Sequence, residues 1–229
     1  MSDLLPLFPL PTVVLFPNVF LPLHIFEPRY REMVADSVQS DRLIGMVLLR
    51  PGWERDYEGR PPVYPTGCSG LITHVEPLAD GRYNIVLRGI ERFRILEEDH
   101  HRGYRRAAVE GVAERGLAAD DRAAIKRQRS KLEGLLAPSV ESSFRHAQAG
   151  LRQAQAAPSG PRATDRKIPP AMPDEDLVNA LAQYLDLEPL EKQALLEQQN
   201  LRARAESLVE LLEMKILIAR TPGVSTVAH

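Results

Sequence analysis

Residues 5–31 read LPLFPLPTVVLFPNVFLPLHIFEPRYR, an apolar stretch cut by proline at positions 6, 9, 11, 17, 22 and 28. Proline has no amide hydrogen for a ladder and breaks helix interiors, so an uninterrupted central strand or a long helix is excluded here. The pattern predicts short β segments at bends, over residues 4–7, 12–15 and 19–24. A helix then opens at Pro28, where a missing N–H costs nothing. Tyr30, Met33, Val34 and Val38 follow at helical spacing, so one stripe of that helix packs back on the strands.

Beyond this stretch, residues 43–49 (LIGMVLL) read as a buried strand ended by Arg50-Pro51-Gly52. A polar loop with Trp53 and Tyr57 runs from there to Tyr64. Strand patterns at 68–75 and 82–88 flank Ala79-Asp80-Gly81, and Asp-Gly between strands predicts a hairpin with a type I′ turn. After an expected break at Gly89, Phe93 and Ile95 alternate within residues 91–96, and residues 104–112 make a closing strand. Short, evenly punctuated strands suit a small barrel or curled sheet, where closure hides the edges.

From about Leu117 the period turns helical, with Ile125, Leu132, Leu135 and Leu136 on one stripe and Pro138 as the stop. Residues 142–173 are rich in Ala, Gln, Ser and Pro, which predicts a flexible or elaborated connection with room for a helix near 144–155. Asp174-Glu175-Asp176 suit a helix N-terminus, with Leu177, Ala180, Leu181 and Tyr184 as the buried stripe. Pro189 opens the next helix, which holds Leu195 and Leu196. Asn200 caps a third, where Leu201, Ala205, Leu208, Leu212, Ile216 and Ala219 form a face for packing on its neighbours. The expected division is a β part over 1–115, a helical part over 116–220 and a frayed tail over 221–229.

Composition narrows the function classes. A net charge of −2 with 26% charged residues gives no general pull toward nucleic acid or anionic membrane. The lone Cys68 excludes an internal disulfide framework and suits a reducing compartment. No basic region precedes the first apolar run, so no signal peptide is expected. No uninterrupted apolar span reaches membrane length. The expectation is a soluble, cytoplasmic protein.

Catalytic motifs are hard to find. Gly111 and Gly116 have the spacing of a phosphate-binding loop, but Leu117-Ala118 stand where Lys and Ser or Thr are needed. Gly67-Cys68-Ser69-Gly70 is not a nucleophile elbow and reads as a tight turn entering a strand. Of the six histidines, His24, His74, His100, His101, His146 and His229, no two lie four apart on a helix. His100 and His101 are expected to point to opposite sides of a strand. No metal or other cofactor is predicted. Asp120-Asp121 and residues 174–176 are explained as helix N-terminal acids. Arg145, Arg152, Arg162, Arg166 and Lys167 are spread out with only Phe144 among them, unlike the stacking platforms and continuous positive track of single-strand binders.

Three strings carry a family resemblance. They are Pro22-Leu23-His24-Ile25-Phe26-Glu27-Pro28-Arg29-Tyr30-Arg31, residues 67–96 with Asp80-Gly81-Arg82 and LRGIERFRI over 87–95, and residues 174–215 with LEKQALLE over 190–197. Together they resemble the Lon N-terminal domain, or LON substrate-binding domain, and the first looks most like its stand-alone bacterial form. The likeness covers about 5–96 and 174–217. It implies an α+β fold: a PUA-like β pseudo-barrel with one early helix, followed by a C-terminal helical bundle. It also implies a non-catalytic module that recognises unfolded or extended polypeptide, with a quality-control adaptor as the expected role, without the Lon ATPase or Ser–Lys protease. Trp53 and Tyr57 in the polar loop are the first candidate contacts, since Trp and Tyr supply large contact area. Tyr64 and Phe26 are the next, with Phe8, Phe16, Phe20 and Phe26 also read as core. Two alternatives stand beside this: a PUA-like RNA-binding module, and a hydrolase resting on Ser69 or Cys68.

Overall fold

Strand β1 (Leu5–Leu10) contains two of the prolines and yet lies inside the sheet. The structure, a computed structural model, describes residues 4–57, 59–114, 119–136 and 172–220. β1 pairs antiparallel with β6 (Arg105–Val112) over Leu5–Leu7, and parallel with β3 (Leu43–Leu48) over Leu7–Leu10. The Leu49 N–H donates to the Leu10 carbonyl at 3.0 Å, so even-numbered residues of β1 turn their backbone polar groups toward β3 and odd ones toward β6. Pro6 therefore faces β3 before that register begins, and Pro9 faces β6 after its register has ended. The expectation that these prolines bar an interior strand is corrected: each missing amide falls where no ladder bond is required.

The pairings continue from β3 to β4 (Thr66–Pro77), from β4 to β5 (Tyr83–Asp99) and from β5 to β6, which returns to β1. β2 (Phe20–Ile25) attaches to the first part of β5. The expected break at Gly89 is absent, because β5 runs through it. The Gly89 amide donates to the Val19 carbonyl at 2.9 Å, and its own carbonyl accepts from the Asn18 N–H at 2.9 Å. A Cβ at this position would collide with the Phe16 carbonyl oxygen, so glycine is required by close approach and not by a turn. Residues 12–15 form no strand. Their backbone crosses as a loop, with Val14, Leu15 and Phe16 buried beneath it.

The hairpin at Asp80-Gly81 forms, but not with a type I′ turn. Only Gly81 has positive φ (79°), the Gly81 N–H donates to the Leu78 carbonyl, and the Leu78 N–H donates to Arg82. This is a three-residue loop with glycine as the left-handed residue. Gly67, Cys68, Ser69 and Gly70 lie within β4 and not in a turn before it. His100 and His101 sit in the turn between β5 and β6, not on a strand.

Helix α1 (Pro28–Val38) starts at its proline as expected, with Tyr30, Met33 and Val34 buried. The later helices are α2 (Ala119–Leu136), α3 (Asp174–Tyr184), α4 (Pro189–Leu196) and α5 (Leu201–Arg220). Asn200 accepts the Ala203 N–H at 2.9 Å, a cap of the anticipated kind. The buried face of α3 is rotated from expectation: Leu177, Val178, Leu181 and Ala182 are buried, whereas Ala180 and Tyr184 are only half-buried. α5 is buried through Leu212, and Ala219 is exposed. One core cluster runs from Phe8 and Phe16 through Met33 and Leu87 to Leu181 and Leu208, joining strands to helices. Leu5, Leu7, Val47, Phe93 and Ala107 form a second, smaller cluster. No described helix is long and apolar enough to cross a membrane. The predicted connection over 142–173 lies outside the described residues up to residue 171, as does the tail over 221–229.

Gly89→Ala is expected to destabilise the protein by about 1–3 kcal/mol, since the Phe16 backbone must move aside. In α2 a Cβ at Gly134 meets nothing, so Gly134→Ala should leave stability unchanged or raise it by up to ~1 kcal/mol. Urea midpoints of the two variants test the contrast.

Candidate functional site

Glu27 sets the geometry at the entry to α1. Its carboxylate accepts from Arg29 Nε at 3.1 Å and from the Tyr57 hydroxyl at 2.5 Å. Arg29 Nη1 in turn donates to the Tyr57 carbonyl at 3.2 Å, and the guanidinium lies 4.7 Å from the Tyr30 ring centre and 5.0 Å from that of Tyr57. The loop after β3 is thereby fastened to the helix. Gly52 (φ 89°) turns the chain into a short 3-10 helix, Trp53–Asp56, and Trp53 meets Tyr57 edge to face at 5.4 Å.

The same loop is tied on its other side to the turn between β5 and β6. Arg60 donates to the carbonyls of Asp99 (3.3 Å) and Arg102 (3.2 Å). Arg105 holds Glu98 with Nε at 2.8 Å and Nη2 at 2.5 Å, and its Nη1 reaches the Pro61 carbonyl at 2.6 Å. Tyr104 donates its hydroxyl to Asp36 of α1 at 2.7 Å.

Between these three segments lies a cleft of about 170 Å³. Pro9, Leu49 and Pro61 give it apolar surface, Tyr30, Tyr57 and Tyr104 contribute rings, and Arg29, Arg60 and Arg105 contribute charge. Among the described residues no aspartate or glutamate lines it. Burial pushes the phenols of Tyr30 and Tyr57 up, with the Glu27 charge adding to both, and burial with the Asp36 bond pushes Tyr104 up to about 12. All three therefore stay neutral at physiological pH.

Of the residues expected to contact polypeptide, Tyr57 lines the cleft and Trp53 packs against it. Tyr64 does not line it; it rests against the main core with Arg50 at 5.5 Å from its ring centre. Phe26 is 59% exposed and lies against His24, also outside the cleft lining. Sequence reasoning missed Arg60, Tyr104 and Arg105, whose side chains meet only because loops distant in sequence converge.

A second polar cluster is buried between strands and helices. Arg204, fully buried, donates to Glu114 at 2.6 Å, Asn179 at 2.9 Å and the Leu195 carbonyl at 3.2 Å. Arg92 of β5, 2% exposed, lies 3.3 Å from the same Glu114 oxygen and donates to the carbonyls of Leu196 and Gln198. Burial, followed by the Arg204 charge, pushes Arg92 down. This arrangement joins β5 to α3, α4 and α5 and leaves Glu114 as the carboxylate shared by two guanidiniums. One signal for it was present in the sequence: Arg204 falls at helical spacing between Leu201 and Leu208, on the apolar stripe of α5.

Cys68 and Ser69 show no nucleophile geometry. Cys68 is fully buried and burial pushes its thiol up to about 12. The Ser69 hydroxyl is engaged by the Glu91 backbone, donating to its carbonyl at 3.1 Å. Among the described residues no group of three or more His, Cys, Asp or Glu side chains converges as a metal site would require. The basic residues at 145, 152, 162, 166 and 167 lie outside the described residues.

Glu114→Gln is expected to cost about 3 kcal/mol, because it leaves two buried guanidiniums without their counter-charge. Lys131→Gln, which breaks the exposed pair with Glu213 at 2.8 Å, should cost under about 1 kcal/mol. Chemical denaturation of both variants measures the difference.

Comparison with known proteins agrees with this architecture. The sequence profile of the ATP-dependent protease La (LON) substrate-binding domain matches residues 4–214. Lon protease 2 of Myxococcus xanthus is 26% identical over 213 residues, 93% of this chain but 24% of that protein. Lon protease of Anaeromyxobacter dehalogenans is 26% identical over 92% of this chain and 23% of its own length. The chain thus spans about a quarter of these relatives. Among solved structures, the N-terminal domain of Mycobacterium avium complex Lon protease superposes with a TM-score of 0.61 at 17% identity, covering 92% of this chain and 98% of that one. The Lon N-terminal domain protein from Xanthomonas campestris gives 0.52 at 21% identity, covering 96% and 99%. These two likenesses show the fold. The profile match over nearly the whole length shows the family: the chain belongs to the LON substrate-binding domain family.

Proposed function

We propose that the protein is a non-catalytic recognition module that binds extended polypeptide, with the cleft between α1, the 50–64 loop and the 100–105 turn as its contact site. The observation that carries this reading is the half-buried Tyr57, with Trp53 edge-on beside it, at a cleft floored by the buried rings of Tyr30 and Tyr104. Tyrosine and tryptophan dominate protein contact sites because they bury large area while losing little side-chain entropy. The family match supports a substrate-recognition role, and polypeptide is the substrate class that its description suggests.

On this reading the strand circuit is a PUA-like pseudo-barrel and the helices form a second subdomain packed on it through the shared core. The protein serves as an adaptor in cytoplasmic quality control, presenting clients and leaving their chemistry to others. An RNA-binding role is the second reading, favoured by the three arginines of the cleft. Its phosphate contacts would give a steep dependence of affinity on salt.

Titration of a fluorescein-labelled, chemically unfolded polypeptide, followed by anisotropy, tests the proposal. Saturable binding is expected, weakened about tenfold by a Trp53→Ala/Tyr57→Ala double variant. Absence of saturable binding, or equal affinity for wild type and variant, would contradict the assignment.

A further inference from the structure

We infer that the cleft receives the C-terminal residue of a bound polypeptide, with its α-carboxylate held by Arg60. This rests on the polypeptide-binding reading above and narrows it to a chain end.

The charges of the cleft are unequal in their partners. Arg29 is answered by Glu27 at 3.0 Å and Arg105 by Glu98 at 2.5 Å. Arg60 donates only to the uncharged carbonyls of Asp99 and Arg102 and has no carboxylate partner among the described residues. A guanidinium carries five N–H donors, so two carbonyls leave it with donors to spare. None of the described lining residues is acidic, and the ligand matching a positive, planar donor there is a carboxylate, bound in a charge-assisted pair.

The rest of the lining asks for an apolar or aromatic side chain. Tyr30, Tyr57 and Tyr104 stand with Pro9 and Leu49 around the same space. At about 170 Å³ the cleft is below the usual size of a small-molecule pocket and has room for one residue, not a run of them. A chain end brings a full side chain and a carboxylate on one α-carbon. An internal aspartate or glutamate brings the carboxylate on a short stem that leaves the rings uncovered.

The test uses the full chain and a short fluorescein-labelled peptide ending in phenylalanine, as the free acid and as the C-terminal amide. A third peptide has an amidated end and one internal glutamate. Anisotropy should show the free acid binding about tenfold more tightly than the amide, with the preference shrinking as salt rises. Arg60→Gln should abolish the preference of the protein for the acid over the amide. Because Arg60 also braces the loop, the wild-type comparison decides by itself, and the melting temperature of the variant is read beside it. Equal binding of acid and amide overturns the chain-end inference while leaving polypeptide binding intact. A glutamate-bearing amide that matches the free acid also overturns it, by placing the carboxylate on a side chain. Failure of all three peptides and of the unfolded polypeptide overturns both readings.

Discussion

The change of partner in β1 at Leu7 is the constraint on which the remaining structure depends. One strand with two prolines cannot satisfy two full ladders, but it can satisfy half of each. By pairing first with β6 and then with β3, it closes the circuit of pairings and brings three chain segments to one end. Pro9 near the end of β1, Leu49 just past β3 and Arg105 at the start of β6 all line the same cleft. The proposed site is thus a product of strand connectivity, finished by the loops that leave those ends.

The helices are held to this framework by burial and by charge. The shared core supplies the non-directional part, since apolar surface from β5 and from α3 to α5 is removed from water together. The Arg92–Glu114–Arg204 cluster supplies direction, because a buried guanidinium tolerates few arrangements of its acceptors. Such a cluster adds little net stability relative to apolar packing, yet losing one member is costly. Its contacts tie β5 to α3, α4 and α5.

Local features were legible in the sequence where a residue acts on its own neighbours. Pro28 opens α1, Asn200 caps α5, and Asp80-Gly81 turns a hairpin, all through contacts within a few residues. Features set by distant segments were not. Gly89 looks like a break in a strand, and only the passage of Phe16 above it shows that it is a site of close approach. Residues 12–15 have strand-like composition but find no ladder partner. The face of α3 is rotated because Asn179 must reach Arg204 and Gln183 must accept the Phe16 N–H at 3.2 Å. At the cleft, Tyr57 and its neighbour Trp53 stood out as aromatics in a polar loop. Arg60, Tyr104 and Arg105 belong to ordinary-looking turns and gain significance only from the closure of the strands. Tyr64 and Phe26 were chosen by the same aromatic signal, and the structure places neither in the cleft lining.

Amide hydrogen exchange with and without a saturating unfolded polypeptide addresses the account most directly, since it reports where contact is made independently of any substitution. Slower exchange over residues 50–61 and 102–105 and at the start of α1, with the rest unchanged, is the result this account predicts. Protection confined to other surfaces, such as the outer edge of β2 or the last turns of α5, would contradict it.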